Sequence, residues 1–281
     1  NRCTGDTLFD TDVVLLPSDL PVFEGTYVRI LLHRGRDTTL TLLYQPKFSM
    51  LTGSVSGVEA LVRWQHPRFG ELGPDQFLPL VREHGLIHAL TDLVLSRAVA
   101  DAAAWYAAGA AIPVAINLGA PSLDKDALPD HIMSVLDSYG MPPSSLTIEI
   151  TEDLVVADFA KARTVLNRLR ENGIRVAIDD FGSGYATLTY LRELPADEVK
   201  LGREFIAPIV HDDRAATIAR SVIELASAFG IATVAEGVED PATAQRLKDY
   251  GCDAVQGNFF CHPLPASEVP RIPTNSTLAA P

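Results

Sequence analysis

The sequence is short of cysteine, of positive charge and of long apolar runs. Its three cysteines, Cys3, Cys252 and Cys261, include no Cys-x-x-Cys pair, which argues against a disulfide framework and favours a reducing, cytoplasmic setting. No run of about eighteen apolar residues and no signal-peptide pattern is present. Because the chain begins with Asn1, we expect a piece of a longer protein, with the cytoplasmic part of a membrane-bound protein as the alternative.

The scarcity of positive charge restricts the class of partner. Lys and Arg total 23 against 36 Asp and Glu, so the net charge is -13. A surface that binds long nucleic acids must neutralise phosphates with Lys and Arg, and this balance argues against such a partner. A small phosphorylated ligand is still compatible with the charge if its site is locally positive or holds a metal.

Several well-known catalytic motifs are also missing. The sequence contains no His-Glu-x-x-His, no Gly-x-Ser-x-Gly and no Walker loop, and its seven histidines are scattered. Asp180-Phe181-Gly182 matches the magnesium motif of protein kinases, but no kinase catalytic loop accompanies it. Gly182-Ser183-Gly184 begins like a dinucleotide fingerprint, but Thr187 replaces its third glycine, and the two preceding aspartates would repel a pyrophosphate.

What the sequence does contain is a regular alternation of strands and helices. Short apolar runs rich in Val and Ile predict eight buried strands, at Leu40–Phe48, Val58–Trp64, Ile112–Leu118, Leu146–Thr151, Arg175–Asp179, Glu198–Leu201, Ile231–Ala235 and Ala254–Gln256. Stretches of helical period predict helices at Phe77–His84, Leu90–Ala108, Leu128–Tyr139, Ala157–Asn172, Leu188–Leu194, Arg214–Phe229 and Ala242–Tyr250. This α/β pattern favours a (β/α)8 barrel, with a doubly wound open sheet as the alternative.

The first connection departs from a regular barrel. Only Ser49–Gly57 joins the first two predicted strands, which is too short for a helical crossover between parallel strands. We therefore expect the first strand to pair antiparallel with the second.

Polar residues lie in or directly after nearly every predicted strand. In chain order they are Glu59 and Arg63, Asn117, Glu149 and Glu152, Asp179 and Asp180, Lys200, Glu236, and Gln256. The carboxyl ends of barrel strands converge on one face, so these side chains would meet there. A single acidic residue after a strand is most often a helix cap. Two adjacent carboxylates after a buried strand need a cation or hydrogen-bond donors, and their recurrence at several strand ends favours a metal. Oxygen ligands without a His or Cys cluster favour Mg²⁺, Mn²⁺ or Ca²⁺ over Zn²⁺.

These residues carry a resemblance to a known family. Glu59-Ala60-Leu61, followed by Arg63-Trp64 and His66-Pro67, resembles the signature of the EAL domain, a bacterial cyclic di-GMP phosphodiesterase. The resemblance runs from about Leu42 to Leu264 and includes Tyr44-Gln45-Pro46, Asn117-Leu118, Glu149-Ile150-Thr151-Glu152, Asp179–Tyr185, Lys200, Val234–Glu239, Gly251-Cys252-Asp253 and Gln256-Gly257. It implies a TIM-like (β/α)8 barrel with an antiparallel first strand, and hydrolysis of cyclic di-GMP to linear pGpG.

The resemblance also implies a role for each site residue. Two divalent ions, Mg²⁺ or Mn²⁺, would be held by Glu59, Asn117, Glu149, Asp179, Asp180 and Glu236, and Ca²⁺ is expected to inhibit. The catalytic residues would be Glu59, Lys200, Glu236 and Asp180, and the substrate would be bound by Gln45, Leu61, Arg63 and Gln256. Glu152 would anchor the loop that follows Gly182, and Glu239 would support the site.

The same resemblance predicts domain limits and partners. Residues 1–37 would be an N-terminal extension or the remnant of an upstream domain, residues 38–268 the EAL domain, and residues 269–281 an irregular tail. The implied partners are cyclic di-GMP, a second copy bound through the barrel face near residues 182–194, and an upstream sensory or GGDEF domain in the full-length protein.

Some positions depart from the family pattern. Gly202 stands where the family usually has an aspartate close to the active site, Gly119 replaces a usual serine, and Ala186-Thr187 replaces a common pair of serines. The alternative function is therefore a catalytically weak or inactive EAL domain that senses cyclic di-GMP and signals to a protein partner.

Overall fold

A computed structural model gives the fold of the chain. It describes residues 12–16, 28–32, 40–66, 69–119, 122–123, 127–151, 159–182, 192–193 and 195–272, with only the backbone described before residue 40. Strands β1 (Asp12–Leu16) and β2 (Val28–Leu32) form a separate antiparallel pair within the predicted N-terminal extension. The short apolar stretches of that segment did not predict this pair.

Eight strands close into a barrel. They are β3 (Leu40–Ser49), β4 (Val55–His66), β6 (Val114–Asn117), β7 (Leu146–Thr151), β8 (Arg175–Phe181), β9 (Glu198–Leu201), β10 (Ala232–Ala235) and β11 (Ala254–Val255). Among these eight, each strand from β4 to β10 pairs in parallel with the next one named, and β3 pairs antiparallel with both β4 and β11. The predicted TIM-like barrel with an antiparallel first strand is confirmed, and the open doubly wound sheet is wrong.

The turn between β3 and β4 explains the antiparallel pairing. Residues 50–54 connect the two strands, and the Gly53 amide donates to the Ser49 carbonyl at 2.8 Å. Gly53 has a positive φ of 69°, a conformation that glycine adopts without steric cost. The turn sets the register that places Gln45 opposite Glu59, so both strands bring polar residues to the same level of the barrel.

Two further strands extend the sheet beyond the barrel. Strand β5 (Gly70–Leu72) pairs with the end of β4, and β12 (Leu264–Pro265) pairs with the middle of β3. Each has three residues or fewer, which is too short to give a periodic signal in the sequence.

Helices cover the outside of the barrel. The described chain contains α1 (Pro74–Glu83), α2 (Ile87–Ala107), α3 (Leu128–Ser138), α4 (Phe159–Glu171), α5 (Arg203–Ile206), α6 (Asp213–Ala228) and α7 (Pro241–Asp249). Six predicted helices are confirmed within three residues at each end. The short α5 was not predicted, and most of the predicted helix at Leu188–Leu194 lies outside the described residues. None of the helices described is long and apolar enough to cross a membrane.

The apolar core lies between the barrel and these helices. Helix α6 shows the pattern, because its buried residues Ala216, Ala219, Ile223 and Ala226 recur at helical spacing. The strands are buried on both faces, so residues that do not face the helices must face the barrel interior. There the structure buries charged side chains, among them Glu59, Glu149, Asp179 and Lys200.

The segment after β11 packs against the segment after β10 with no space for a side chain at Gly257. A Cβ there would lie 2.2 Å from the Val238 carbonyl oxygen and 2.4 Å from its nitrogen, both backbone atoms that a side chain cannot displace cheaply. The contact also holds the strand end that carries Gln256, because the Val238 amide donates to the Gln256 carbonyl at 3.1 Å.

We therefore expect Gly257→Ala to destabilise the fold by about 1–3 kcal/mol, as overpacked sites do. Gly73→Ala is the matched control, because a Cβ at Gly73 has no neighbour closer than 4.0 Å. Chemical denaturation of the two variants measures the difference, and equal midpoints would contradict the close packing at Gly257.

Candidate metal centre

The structure brings the strand-end polar residues together inside the barrel. Glu59 lies in β4, Asn117 ends β6, Glu149 lies in β7, Asp179 and Asp180 lie in β8, and Lys200 lies in β9; Glu236 and Gln256 directly follow β10 and β11. Neighbouring strands place several of these residues at one level, as when Asn117 pairs in register with Glu149. Eight residues from seven strands thereby form one cluster.

The Lys200 ammonium lies at the centre of this cluster. Its Nζ is 2.6 Å from Glu236, 2.8 Å from Glu149, 3.2 Å from Glu59 and 3.2 Å from Asp179. Lys200 and Glu149 are completely buried. Four carboxylates therefore share one ammonium, which leaves the cluster with excess negative charge.

The carboxylates form two groups that share Asp179. Glu59, Glu149 and Asp179 offer one oxygen each within 4.8 Å of one another, and so do Asp179, Asp180 and Glu236. Each group has the spacing that a bound cation requires of its ligands, and the shared Asp179 connects the two.

Amide side chains hold Glu59 in place. Asn117 Nδ2 donates to Glu59 Oε1 at 2.7 Å, and Gln256 Nε2 donates to Glu59 Oε2 at 2.7 Å. The same Gln256 nitrogen donates to Gln45 Oε1 at 3.2 Å. These bonds connect the predicted substrate-binding residues Gln45 and Gln256 with the predicted metal ligands.

Burial and mutual repulsion shift the acidity of the cluster. Burial, together with the charge of Glu59, raises the pKa of Glu149 well above its usual value. Burial also raises the pKa of Glu236 to about 7, although Lys200 opposes the change. Burial alone would raise the pKa of Glu59, but Lys200 and the two amides outweigh it and lower that pKa to about 2. Near neutral pH the cluster therefore holds protons unless another cation replaces them.

The residues present fit a divalent metal. Glu149 Oε1 is buried and accepts no hydrogen bond from the described residues, and Lys47 Nζ lies 3.7 Å from it, so the protein leaves this carboxylate incompletely satisfied. Carboxylate and amide oxygens, with no His or Cys in either group, match the preference of Mg²⁺, Mn²⁺ and Ca²⁺. The carboxylates of the two groups can thus hold a divalent ion.

Asp180 has an unusual backbone conformation. Its φ is 54°, and it is the one non-glycine residue with positive φ in the part of the chain that the structure describes. The Asp180 amide donates to Asp179 Oδ1 at 2.9 Å, which ties the two aspartates together. A Cβ at Gly202 would lie 3.1 Å from Asp180 Oδ1, so the glycine leaves room for this carboxylate.

A cavity of about 560 Å³ adjoins the cluster. Its lining includes Leu61, Asn117, Asp179 and Asp180 from the barrel. Helices α1 and α2 supply the other wall, which includes Arg82. The sequence analysis missed Arg82, because a cation on an amphipathic helix looks like an ordinary surface residue.

Three predicted site residues lie elsewhere or cannot be placed. The Arg63 guanidinium donates to the Val62 carbonyl at 2.9 Å and lies 3.8 Å from the Glu71 carboxylate on β5. Glu239 is exposed and pairs with Arg203 at 3.0 Å. Glu152 lies outside the described residues, as do most of residues 182–194.

Comparisons with known proteins agree with this geometry. The EAL domain family model matches residues 29–263. The chain is 41% identical over 231 residues to cyclic di-GMP phosphodiesterase NbdA of Pseudomonas aeruginosa, covering 82% of this chain and 30% of that protein. It is 38% identical to the bifunctional diguanylate cyclase/cyclic di-GMP phosphodiesterase MucR of the same organism, covering 82% of this chain and 34% of that protein. The solved PaMucR phosphodiesterase in complex with c-di-GMP has a TM-score of 0.79 at 38% identity, covering 82% of this chain and 94% of that one.

A TIM-like barrel with a carboxylate cluster at its strand ends defines a class of metal-binding barrel. Within that class, the chain belongs to the EAL domain family. It spans about a third of the length of the curated relatives it matches.

The raised pKa of Glu236 predicts a pH dependence of stability. The folded protein holds this proton up to about pH 7, whereas an unfolded chain releases it near pH 4.5. The contribution of Glu236 to stability is therefore complete below pH 4.5 and is lost as the pH rises through 7. With a chelator present, we expect this loss to amount to about 2 kcal/mol between pH 5 and pH 7.5.

The measurement is the free energy of unfolding by urea across this pH range. Glu236→Gln should make the pH dependence shallower, since it removes one titrating group while Glu149 remains. Parallel pH profiles for the wild type and the variant would show that Glu236 does not hold the proton.

Proposed function

We propose that this domain hydrolyses cyclic di-GMP to linear pGpG in a metal-dependent reaction. The observation that supports this most directly is the pair of acidic groups sharing Asp179 beside the 560 Å³ cavity. The names of NbdA and MucR, and the c-di-GMP complex of PaMucR, support the same substrate. Two metals bound close together suit this reaction, because they activate a water and neutralise the phosphate.

The metal ligands we propose are Glu59, Asn117, Glu149, Asp179, Asp180 and Glu236. We propose Mg²⁺ or Mn²⁺ as the physiological ion, because their compact coordination places the reacting groups closely. Ca²⁺ should inhibit, since it binds with more ligands at longer distances.

The chain's own residues have separate roles in the proposed reaction. Glu236, which belongs to the second acidic group, takes the proton of the attacking water. Glu59 and Asp180 would help to hold the divalent ions, which when bound would supply Lewis-acid chemistry to the phosphate and the water. Lys200 fixes the carboxylates from within the barrel and offsets the charge that develops on the phosphate. The water oxygen bonds to phosphorus as one phosphorus–oxygen ester bond breaks, and the leaving oxygen takes up the proton that Glu236 removed.

Residues around the cavity would bind the dinucleotide. The Leu61 backbone and the side chains of Gln45 and Gln256 lie beside the metal ligands. We propose that Arg63 exchanges its contact with Glu71 for a phosphate oxygen, and that Arg82 offers a second cation from α1. Arginine suits this task because its guanidinium binds phosphate through paired hydrogen bonds.

The alternative is an EAL domain that binds cyclic di-GMP without efficient turnover and signals to a protein partner. Gly202 favours this reading, because a carboxylate at that position would stand beside Asp180 and add to the second acidic group. Without a carboxylate at position 202, the first acidic group would still bind a metal ion, but turnover of the dinucleotide would be weak.

We further propose the setting of the domain. The EAL unit would span residues 38–268, between an N-terminal segment of residues 1–37 and a tail of residues 269–281. The protein would be cytoplasmic, or the cytoplasmic part of a membrane-bound protein. It would dimerise through the face near residues 182–194. The greater length of the curated relatives supports an upstream sensory or GGDEF domain.

The first test is hydrolysis of cyclic di-GMP by the purified chain. We expect pGpG to form with Mg²⁺ or Mn²⁺ and not with Ca²⁺. Asp179→Asn should abolish the reaction, because both acidic groups share this residue. Thermal unfolding of Asp179→Asn controls for folding. If chromatography detects no more pGpG with the wild type than with a folded Asp179→Asn, the proposed activity is refuted; tight binding of cyclic di-GMP without turnover would then favour the sensor.

The second test adds the missing carboxylate through Gly202→Asp. We expect turnover at limiting Mn²⁺ to rise several-fold, because a further acidic side chain would join Asp180. Gly202→Ala is the matched control: it brings the same Cβ within 3.1 Å of Asp180 Oδ1 but adds no charge. A Gly202→Asp variant no faster than Gly202→Ala would show that Gly202 does not limit activity.

A further inference from the structure

Small side chains line the barrel interior near the amino ends of the strands. Two residues before Glu59, Asn117, Glu149 and Gln256, toward the amino ends of those strands, lie Gly57, Ala115, Thr147 and Ala254. Barrel interiors of this type are usually filled by bulky branched residues. Here the small residues line a cavity of about 640 Å³ that also borders exposed residues such as Leu51 and Lys248.

The side chain of Lys47 extends through this layer. Strand β3 runs antiparallel to its neighbours, and its register places Lys47 opposite Gly57. A Cβ at Gly57 would lie 3.6 Å from Lys47 Cε, an ordinary van der Waals distance, so the lysine stem packs beside this glycine. Lys47 is only 5% exposed although it borders the cavity.

The Lys47 ammonium lies between two carboxylates. Its Nζ is 2.7 Å from Glu198 Oε1 and 3.7 Å from Glu149 Oε1. Burial lowers the pKa of Lys47, but these two carboxylates outweigh burial and raise it, so the ammonium stays charged. The resulting column of alternating charge runs Glu198, Lys47, Glu149, Lys200 along the barrel interior.

Glu149 belongs both to this column and to the first acidic group. Its Oε2 faces Lys200 at 2.8 Å, and its Oε1 faces Lys47. Oε1 accepts no hydrogen bond from the described residues, so the charge of Lys47 is what the structure offers that oxygen. A carboxylate that is completely buried turns toward the cation available to it.

We propose that Lys47 is a positioning residue of the metal centre, holding the Glu149 carboxylate in the orientation that binds metal, with Glu198 holding Lys47. The inference rests on the proposed metal-dependent function. Groups that contact a metal ligand from its far side typically change metal affinity by about 10–100-fold when they are removed. Lys47 contacts neither the cavity at the strand ends nor the second acidic group.

The test is Mn²⁺ binding by the whole chain without substrate, followed by electron paramagnetic resonance of the free ion. Lys47→Met should weaken binding about tenfold, and Glu198→Gln should weaken it less. Lys248→Met is the control, since that cation borders the same cavity but is exposed and makes no ion pair with the described residues. Lys47→Ala adds a rescue experiment: n-propylammonium can enter the 640 Å³ cavity and should restore Mn²⁺ affinity, whereas n-propanol should not.

Each outcome decides the matter. Wild-type affinity in a folded Lys47→Met, or tighter binding as long-range repulsion alone would give, overturns the inference. So does equal recovery with n-propanol, which would show that Lys47 only fills space. If Lys47→Met does not fold, Glu198→Gln decides, with unchanged affinity counting against the proposal. A wild type that binds no Mn²⁺ refutes the proposed metal dependence instead, and the inference with it.

Discussion

Excess negative charge inside the barrel is the constraint on which the site depends. Four carboxylates contact one ammonium, that of Lys200, and burial makes each uncompensated charge costly. The protein answers this with raised pKa values at Glu236 and Glu149, with amide donors to Glu59, and with a second lysine, Lys47, beside Glu149. A divalent cation relieves the same constraint more fully, which connects the electrostatics of the fold with metal binding.

Closure of the barrel is what makes this concentration of charge achievable. Each of the four carboxylates comes from a different strand or the residue after it, so none depends on a flexible loop to reach Lys200. The antiparallel β3 has a separate consequence, because it is the strand that delivers Gln45 and Lys47 into the interior from the opposite direction. A parallel first strand would place other residues of β3 opposite Glu59 and Gly57.

The sequence allowed the barrel and most of the cluster to be predicted, because buried strands leave long apolar runs in which Glu149 or Asp179 stands out. Lys47 and Arg82 gave no such signal, since a single lysine in a strand and an arginine on an amphipathic helix are both common. Their roles can be inferred only from the residues that surround them in the fold, such as Gly57, which lies opposite Lys47 on β4. Strands β5 and β12 were too short to detect. Nothing in the sequence around Asp180 indicates its left-handed backbone conformation.

The distribution of charge is also compatible with the doubly negative dinucleotide proposed as the substrate. The net charge of -13 describes the whole molecule, but a ligand responds to the local potential within about a Debye length, roughly 10 Å. Inside that distance the acidic groups bind cations, and Arg82 borders the adjoining cavity. The carboxylates are therefore the means by which the site becomes positive, and the rest of the negative charge serves the solubility of the surface.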